Sequence, residues 1–329
     1  YVQYLSTNDQ LFKNFQYNAD DELIYEDQIN GEIPSTISIY AAKTDYTKPF
    51  LNGSNFQAGL KSAFTQTDNE AIYTNTLEGV TEPDYGLSNR FLYDEWINAA
   101  YVNYNRSIGK VTVQMGLRGE MTQLKGNQLG NLVTSDTSFT RNYGSLFPTF
   151  YASRQLDTAG VHNLNFSYGR RIERPYFQDL NPFISPLDKF TFYTGNPNLL
   201  PTYSHNLSLT HSFKNMINTS LSYTLIVDGI NETLEIQDEI YYSRPGNIAS
   251  SQYLTLSIHG NIPVTSWYSI NAYAEASAVN FESQLYTEQL NASGINVYAN
   301  VINSFKLKKG WKLNLSGRYT NDQVYSQLL

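Results

Sequence analysis

The feature that most constrains this chain is a two-residue period in hydrophobicity, held for a dozen residues or more at a time. Only a β-strand with two unlike faces satisfies such a period. Leu164, Phe166 and Tyr168 alternate with Asn163, Asn165 and Ser167. Leu221, Tyr223, Leu225 and Val227 alternate with Ser220, Ser222 and Thr224, and Val111, Val113, Met115 and Leu117 with Thr112, Gln114, Gly116 and Arg118. Near the end, Trp311, Leu313, Leu315 and Tyr319 alternate with Lys312, Asn314, Ser316, Arg318 and Thr320. No stretch reads as a comparable amphipathic helix, so the fold class is all-β.

Strand length separates two kinds of β protein. Sandwich strands average about 5–6 residues, whereas a strand crossing a bilayer needs about 9–11. Here alternation runs from Phe91 to Arg106, Tyr143 to Gln155, Trp267 to Phe281 and Ala292 to Phe305. Short turns are expected near 107–110, 156–160, 214–216, 262–266 and 307–310. Long polar loops are expected near 67–90, 125–141, 174–203, 229–251 and 282–291. Short turns at one end and long loops at the other mark an antiparallel transmembrane β-barrel of outer-membrane type. Composition agrees: 27 Tyr help bring aromatics to 14%, and charged residues fall to 16%, against about 25% in soluble domains. The expected location is the outer membrane of a Gram-negative bacterium. Asn163, Asn165, Ser167, Ser220, Ser222, Thr224, Asn314 and Ser316 should line the lumen, and Leu164, Phe166, Leu221, Tyr223, Leu313 and Leu315 should meet lipid. About 13 strands are expected, and because bacterial single-chain barrels have even numbers, an incomplete piece of a larger barrel is the simplest reading. An open sheet cannot sit in lipid with its edges unsatisfied, so the functional molecule needs more β-structure.

Other classes are excluded more simply. Lys and Arg number 22 against 30 Asp and Glu, a formal charge of −8, which argues against nucleic acid as a partner. The absence of cysteine removes disulfide scaffolds, thiol chemistry and cysteine-ligated metals.

One segment breaks the alternation. Arg170-Arg171-Ile172-Glu173-Arg174-Pro175 leads through Asn181-Pro182-Phe183 to Gly195-Asn196-Pro197-Asn198-Leu199-Leu200-Pro201, and five of the 11 prolines lie in it. Proline cannot donate to a ladder, so this is an ordered excursion between two strands, a long extracellular loop over about 174–203. It resembles the TonB-dependent receptor barrel, in which a strand ending in Ser-Tyr-x-Arg-x-x-x-x-Pro enters a Gly-Asn-Pro-Asn-Leu-x-Pro loop. The chain is similar above all to the outer-membrane β-barrel family abundant in Bacteroidota. Asn98-Ala99-Ala100-Tyr101-Val102-Asn103-Tyr104, Gly116-Leu117-Arg118-Gly119-Glu120, Phe139-Thr140-Arg141-Asn142-Tyr143 and Leu146-Phe147-Pro148 carry that resemblance, with Asp179-Leu180-Asn181-Pro182-Phe183, Asn247-Ile248-Ala249-Ser250 and Lys309-Gly310-Trp311. Thr202 departs from the pattern, standing where such loops often have Glu. The resemblance implies a barrel of roughly 22 strands with a plug inside, energised through TonB. No plug domain, TonB box or aromatic-terminated final strand is read in residues 1–329, which are expected to be a partial barrel throughout.

Candidate sites cluster in the excursion. Arg170, Arg171 and Arg174 suit an anionic ligand at the pore mouth; pairing with Glu173 and Asp179, or with lipopolysaccharide, is the competing reading and is favoured for surface charge. Tyr176, Phe177, Phe183, Phe190, Phe192 and Tyr193 suit stacking on a ligand ring or form the loop's own core. The expected ligand contacts are therefore Arg171, Arg174, Tyr176, Phe190, Phe192 and Tyr193. Asp20-Asp21-Glu22 and Glu232, Glu235, Asp238 and Glu239 lack Ca²⁺-loop spacing. His162, His205, His211 and His259 show no paired-ligand spacing, so no metal and no cofactor are expected. No nucleophile–base pair or phosphate loop points to an enzyme. The expected function is TonB-dependent import across the outer membrane of a ligand too large for passive porins. The alternatives are a structural or interaction barrel in a surface or secretion complex, and a soluble, secreted ligand-binding β protein. Expected partners are outer-membrane lipid, lipopolysaccharide, the TonB system through a plug, and a surface lipoprotein or other complex subunits.

Overall fold

A computed structural model describes residues 1–285 and 288–321, with side-chain surroundings omitted for 284–290. The period-two segments all become strands, and most run longer than the alternation itself. They are β1 (Val2–Tyr17), β2 (Leu23–Pro49), β3 (Asn55–Leu77), β4 (Val80–Pro83), β5 (Asn89–Ile108), β6 (Val111–Leu129), β7 (Thr137–Gln155) and β8 (His162–Glu173). Beyond the excursion come β11 (Thr202–Phe213), β12 (Ile217–Gln237), β13 (Ile240–Pro263), β14 (Tyr268–Leu285), β15 (Glu288–Lys306) and β16 (Lys312–Thr320). The excursion itself holds the short helix α1 (Phe177–Leu180), β9 (Ile184–Pro186) and β10 (Thr191–Thr194).

Among the described residues, thirteen strands form one antiparallel wall, ordered β1-β2-β3-β5-β6-β7-β8-β11-β12-β13-β14-β15-β16. Each strand pairs with its neighbours along the wall, and β1 and β16 stand at its two open edges. The sheet is therefore an unclosed outer-membrane type barrel wall, in line with an incomplete barrel.

The long-loop expectation needs correcting at the end opposite the short turns. Residues 229–251 are not a loop but the continuous hairpin of β12 and β13, paired as far as Gln237–Ile240. Similarly, β3 extends to Leu77 and folds back into β4, β6 and β7 leave only 130–136 between them, and β14 and β15 pair up to Leu285–Glu288. The physical reason is that strands projecting beyond lipid tolerate charge on either face, so residues such as Glu232, Asp238 and Glu239 interrupt the apolar row while the ladder continues.

Two local departures shape the wall. Pairing of β7 with β8 stops at Thr149–Gly169, beside Pro148, which has no N–H to donate. In β12 the register shifts between Ile226 and Gly229, and Asp228 takes φ +56°, the mark of a bulge. Between these points the chain leaves the wall and folds over one face, called here the inner face.

Candidate functional site

The excursion is held to the inner face by a small core. Leu180 and Leu199 are buried against Phe91 and Tyr93 of β5 and Leu124 of β6, with Phe139, Tyr143, Phe177 and Ile230 around them. Gly195 permits the closest backbone approach: a Cβ there would stand 2.8 Å from the Asp179 carbonyl oxygen and nearer still to that of Asn181. The Gly195 and Asn196 amides donate to those same carbonyls, at 3.0 and 2.6 Å.

Charge fixes the first leg. The Arg174 guanidinium, mostly buried, lies 2.5 Å from Glu120 and 3.9 Å from Glu95, and also donates to the Thr122 hydroxyl at 3.1 Å. Arg118 completes the row on Glu120. Burial pulls the Arg174 pKa down, but its hydrogen bond to Glu120 and the charges of Tyr143, Glu120 and Glu95 outweigh that and hold it above its ordinary value.

The remaining anchors reach across the wall. At one extreme, Lys189 lies 3.3 Å from Asp27 of β2 and 4.7 Å from the Tyr25 ring centroid. At the other, β10 adds to β13 as a parallel strand, Thr191–Tyr193 opposite Tyr241–Ser243. Between them, Arg141 donates to the Leu199 carbonyl and to Asn198. Asn247 brackets Leu200, accepting from its N–H at 2.6 Å and donating to its carbonyl at 2.8 Å. The Thr202 hydroxyl and Asn247 both donate to the carbonyl of bulged Asp228.

The expected ligand contacts divide accordingly. Tyr176 and Phe190 are exposed, at 69% and 59%, and Arg171 is exposed as well. Phe192 stacks on Tyr242 at 5.9 Å, and Tyr193 donates to Asp179 at 2.8 Å. Burial and then that carboxylate push the Tyr193 phenol up. Arg174, Phe192 and Tyr193 are thus occupied in holding the excursion. The three arginines do not act as one cluster: Arg170 spans the gap between β7 and β8, donating to the Leu146 carbonyl at 3.0 Å and lying 4.3 Å from the Tyr203 ring centroid. For Arg174 the expected pairing with Glu173 and Asp179 gives way to Glu95 and Glu120, partners from distant strands.

Strand register places the polar stripe. Carried outward from β5, it puts Asn163, Asn165, Ser167, Ser220, Ser222, Thr224, Asn314 and Ser316 on the inner face with the excursion. Leu164, Phe166, Leu221, Tyr223, Leu313 and Leu315 take the opposite face.

Cavities lie on both faces of the wall. One of about 320 Å³ lies between the first leg and β12–β13, lined by Arg174, Tyr176, Asp179, Asn231, Ser251 and Tyr253 among others. A larger depression of about 860 Å³ is on the outward face, where Ala42, Ala100, Gly119 and Gly144 leave room beside Leu60 and Leu146. Its small apolar lining suits acyl chains rather than ligand chemistry. Sequence reasoning missed Glu95, Glu120 and Asp27 as site-forming carboxylates. It also missed the His162–His211 contact, 3.0 Å between ring nitrogens, whose only signal is alternate-residue placement on neighbouring strands. Among the described residues, no group of three or more His, Asp or Glu is placed to hold a metal ion.

The wall is similar in fold to solved transporters. With the copper transporter OprC the TM-score is 0.56 at 9% identity, covering 96% of this chain and 52% of that one. With the ferric citrate transporter FecA in its unliganded form it is 0.54 at 13% identity, covering 97% and 48%. The chain thus spans about half the length of these proteins, and at such identities the likeness is one of fold alone. No curated protein matches the sequence. Residues 1–328 match the family described as "Outer membrane protein beta-barrel family". With its long wall of alternating faces now in view, the chain belongs to that outer-membrane β-barrel family.

Proposed function

We propose that this chain builds part of the wall of a TonB-dependent outer-membrane transporter, importing a ligand too large for passive pores. The observation that carries the reading is the excursion tied across the inner face from β2 to β13 by Lys189, Arg174, Arg141 and Asn247. A passive pore works best with an unobstructed lumen. A lumen crossed by a fastened segment suits selective capture and gated passage. In this reading the inner polar face is the lumen, the outer apolar face meets lipid and lipopolysaccharide, and a plug borne elsewhere in the protein engages TonB. The edges at β1 and β16 pair with further β-structure, because unsatisfied backbone groups are not tolerated in lipid. Exposed Arg171, Tyr176 and Phe190 contact the ligand, and a surface lipoprotein can cover the loop end. The work is binding and passage, not catalysis. The shared fold with OprC and FecA supports transport as the class, with the cargo chosen by the loops.

Uptake is the test. Ferric chelates, oligosaccharides, peptides and vitamins would be compared in cells with and without this protein. One class should depend on it, and that dependence should vanish when the TonB system is removed. Uptake that continues at full rate without TonB contradicts the reading and favours a passive or structural barrel.

A further inference from the structure

Charge on the inner face is not evenly spread. The chain is acidic overall, at −8, yet Lys43, Lys61, Arg118 and Arg171 border one depression of about 690 Å³ over β2 to β8. Lys43 and Lys61 are direct register partners, and like charges set opposite each other destabilise a sheet. Lys43 is balanced by Asp45 at 2.8 Å and Arg118 by Glu120. Lys61 and Arg171 are exposed and, among the described residues, enter no ion pair.

Gln57, Asn103 and Thr149 add neutral polar groups to the lining, and its one carboxylate, Glu120, is neutralised by Arg118 and Arg174. Two glycines keep this floor low. A Cβ on Gly59 would stand 2.6 Å from the Tyr101 ring and 2.7 Å from Asp45, whose carboxylate the Tyr101 hydroxyl holds. A Cβ on Gly116 would stand 2.5 Å from the Thr149 hydroxyl oxygen and nearer still to the Asn103 amide oxygen. Any side chain at either position would fill the space that these polar groups occupy.

We propose that this depression binds a small multivalent oxyanion, carboxylate or phosphate, through Lys61 and Arg171, with Lys43 and Arg118 as supporting charges. A bound oxyanion offsets the Lys43–Lys61 repulsion, and the planar guanidinium of Arg171 matches carboxylate or phosphate with two parallel hydrogen bonds. The site deepens the transporter reading by naming a ligand class, and rests on that reading for its biological meaning.

Calorimetric titration of the native protein in detergent micelles tests it, with pyrophosphate and tricarballylate as probes and spermidine as the cationic control. Both oxyanions should bind saturably and more weakly as ionic strength rises, while spermidine should not bind. Lys61→Gln and Arg171→Gln should each weaken binding about tenfold, and Lys61→Arg should keep it. Lys61→Gln also removes the like-charge pair, so its thermal unfolding should come no earlier than the wild type's. Failure of the wild type to bind either oxyanion overturns the site, as does unchanged affinity in both glutamine variants. If binding succeeds and energised uptake fails, the site stands and only the transporter reading falls.

Discussion

Arg174 carries much of the first leg of the excursion on one side chain. Replacing it by Met leaves Glu95 and Glu120 mostly buried, at 16% and 10% side-chain exposure, without their shared cation. Removing one partner of a buried ion pair typically costs about 3 kcal/mol or more. Arg174→Met should therefore release the excursion, raising protease cleavage between 176 and 200 while the β-sheet circular dichroism stays unchanged. Cleavage at the wild-type rate would show that the apolar core around Leu180 suffices. The two faces give a second residue-scale prediction. Leu221→Arg should impair assembly, costing about 2–4 kcal/mol if it lies near the midplane, whereas Ser222→Arg should be tolerated. Equal loss of folded, heat-modifiable protein from both would sink the assignment of faces. That the eight polar stripe residues share one face was legible because a period of two is a local property. The partners of Arg174 were not, because Glu95 and Glu120 meet it only after β5 and β6 have paired, and nothing near Arg174 in the chain encodes that.

At the scale of elements, the excursion and the turns make separate predictions. Gly195→Ala pushes a methyl onto the Asn181 and Asp179 carbonyls, and overpacking of this kind costs about 1–3 kcal/mol. Faster amide exchange within 177–199 than in the wall strands is the expected readout. The turn between β7 and β8 depends on Asp157, whose carboxylate accepts from the Val161 and His162 N–H groups at 2.9 and 2.7 Å. Burial acts to raise its pKa, but these backbone hydrogen bonds prevail and hold it below the usual carboxylate value. A lowered folded-state pKa means the turn gains from ionised Asp157 above the unfolded-state pKa and loses that gain as pH falls through the lowered value. Exchange protection of Val161 and His162 should follow that curve, and Asp157→Asn should flatten it; an unchanged pH profile would remove Asp157 from the account. Strand cores and short turns were readable from alternation, Gly and Pro. The upper hairpins were not, since Glu232, Asp238 and Glu239 break the apolar row of Ile230, Leu234 and Ile236, and 229–251 reads as loop until its ladder is seen.

For the whole molecule, the resemblance carried by the Gly-Asn-Pro-Asn-Leu segment and the wall's 13 strands lead to the same family. Separately, alternation anticipated the count, because each wall strand holds one alternating stretch. What no local pattern could supply was the path of the excursion, since docking from β2 to β13 joins residues far apart in sequence. The central claim is that one face of this wall meets lipid and the other meets water, with the excursion on the watery side. Cysteine labelling tests it most directly, because residues 1–329 hold no cysteine and labelling is read against the unsubstituted protein. In native membranes, Ser222→Cys and Asn165→Cys should react with a small hydrophilic maleimide. Leu221→Cys and Phe166→Cys, carrying a fluorophore attached before reconstitution, should instead be quenched by nitroxide-bearing lipid tails. Reversed patterns, or equal reactivity at neighbouring positions, would contradict the account.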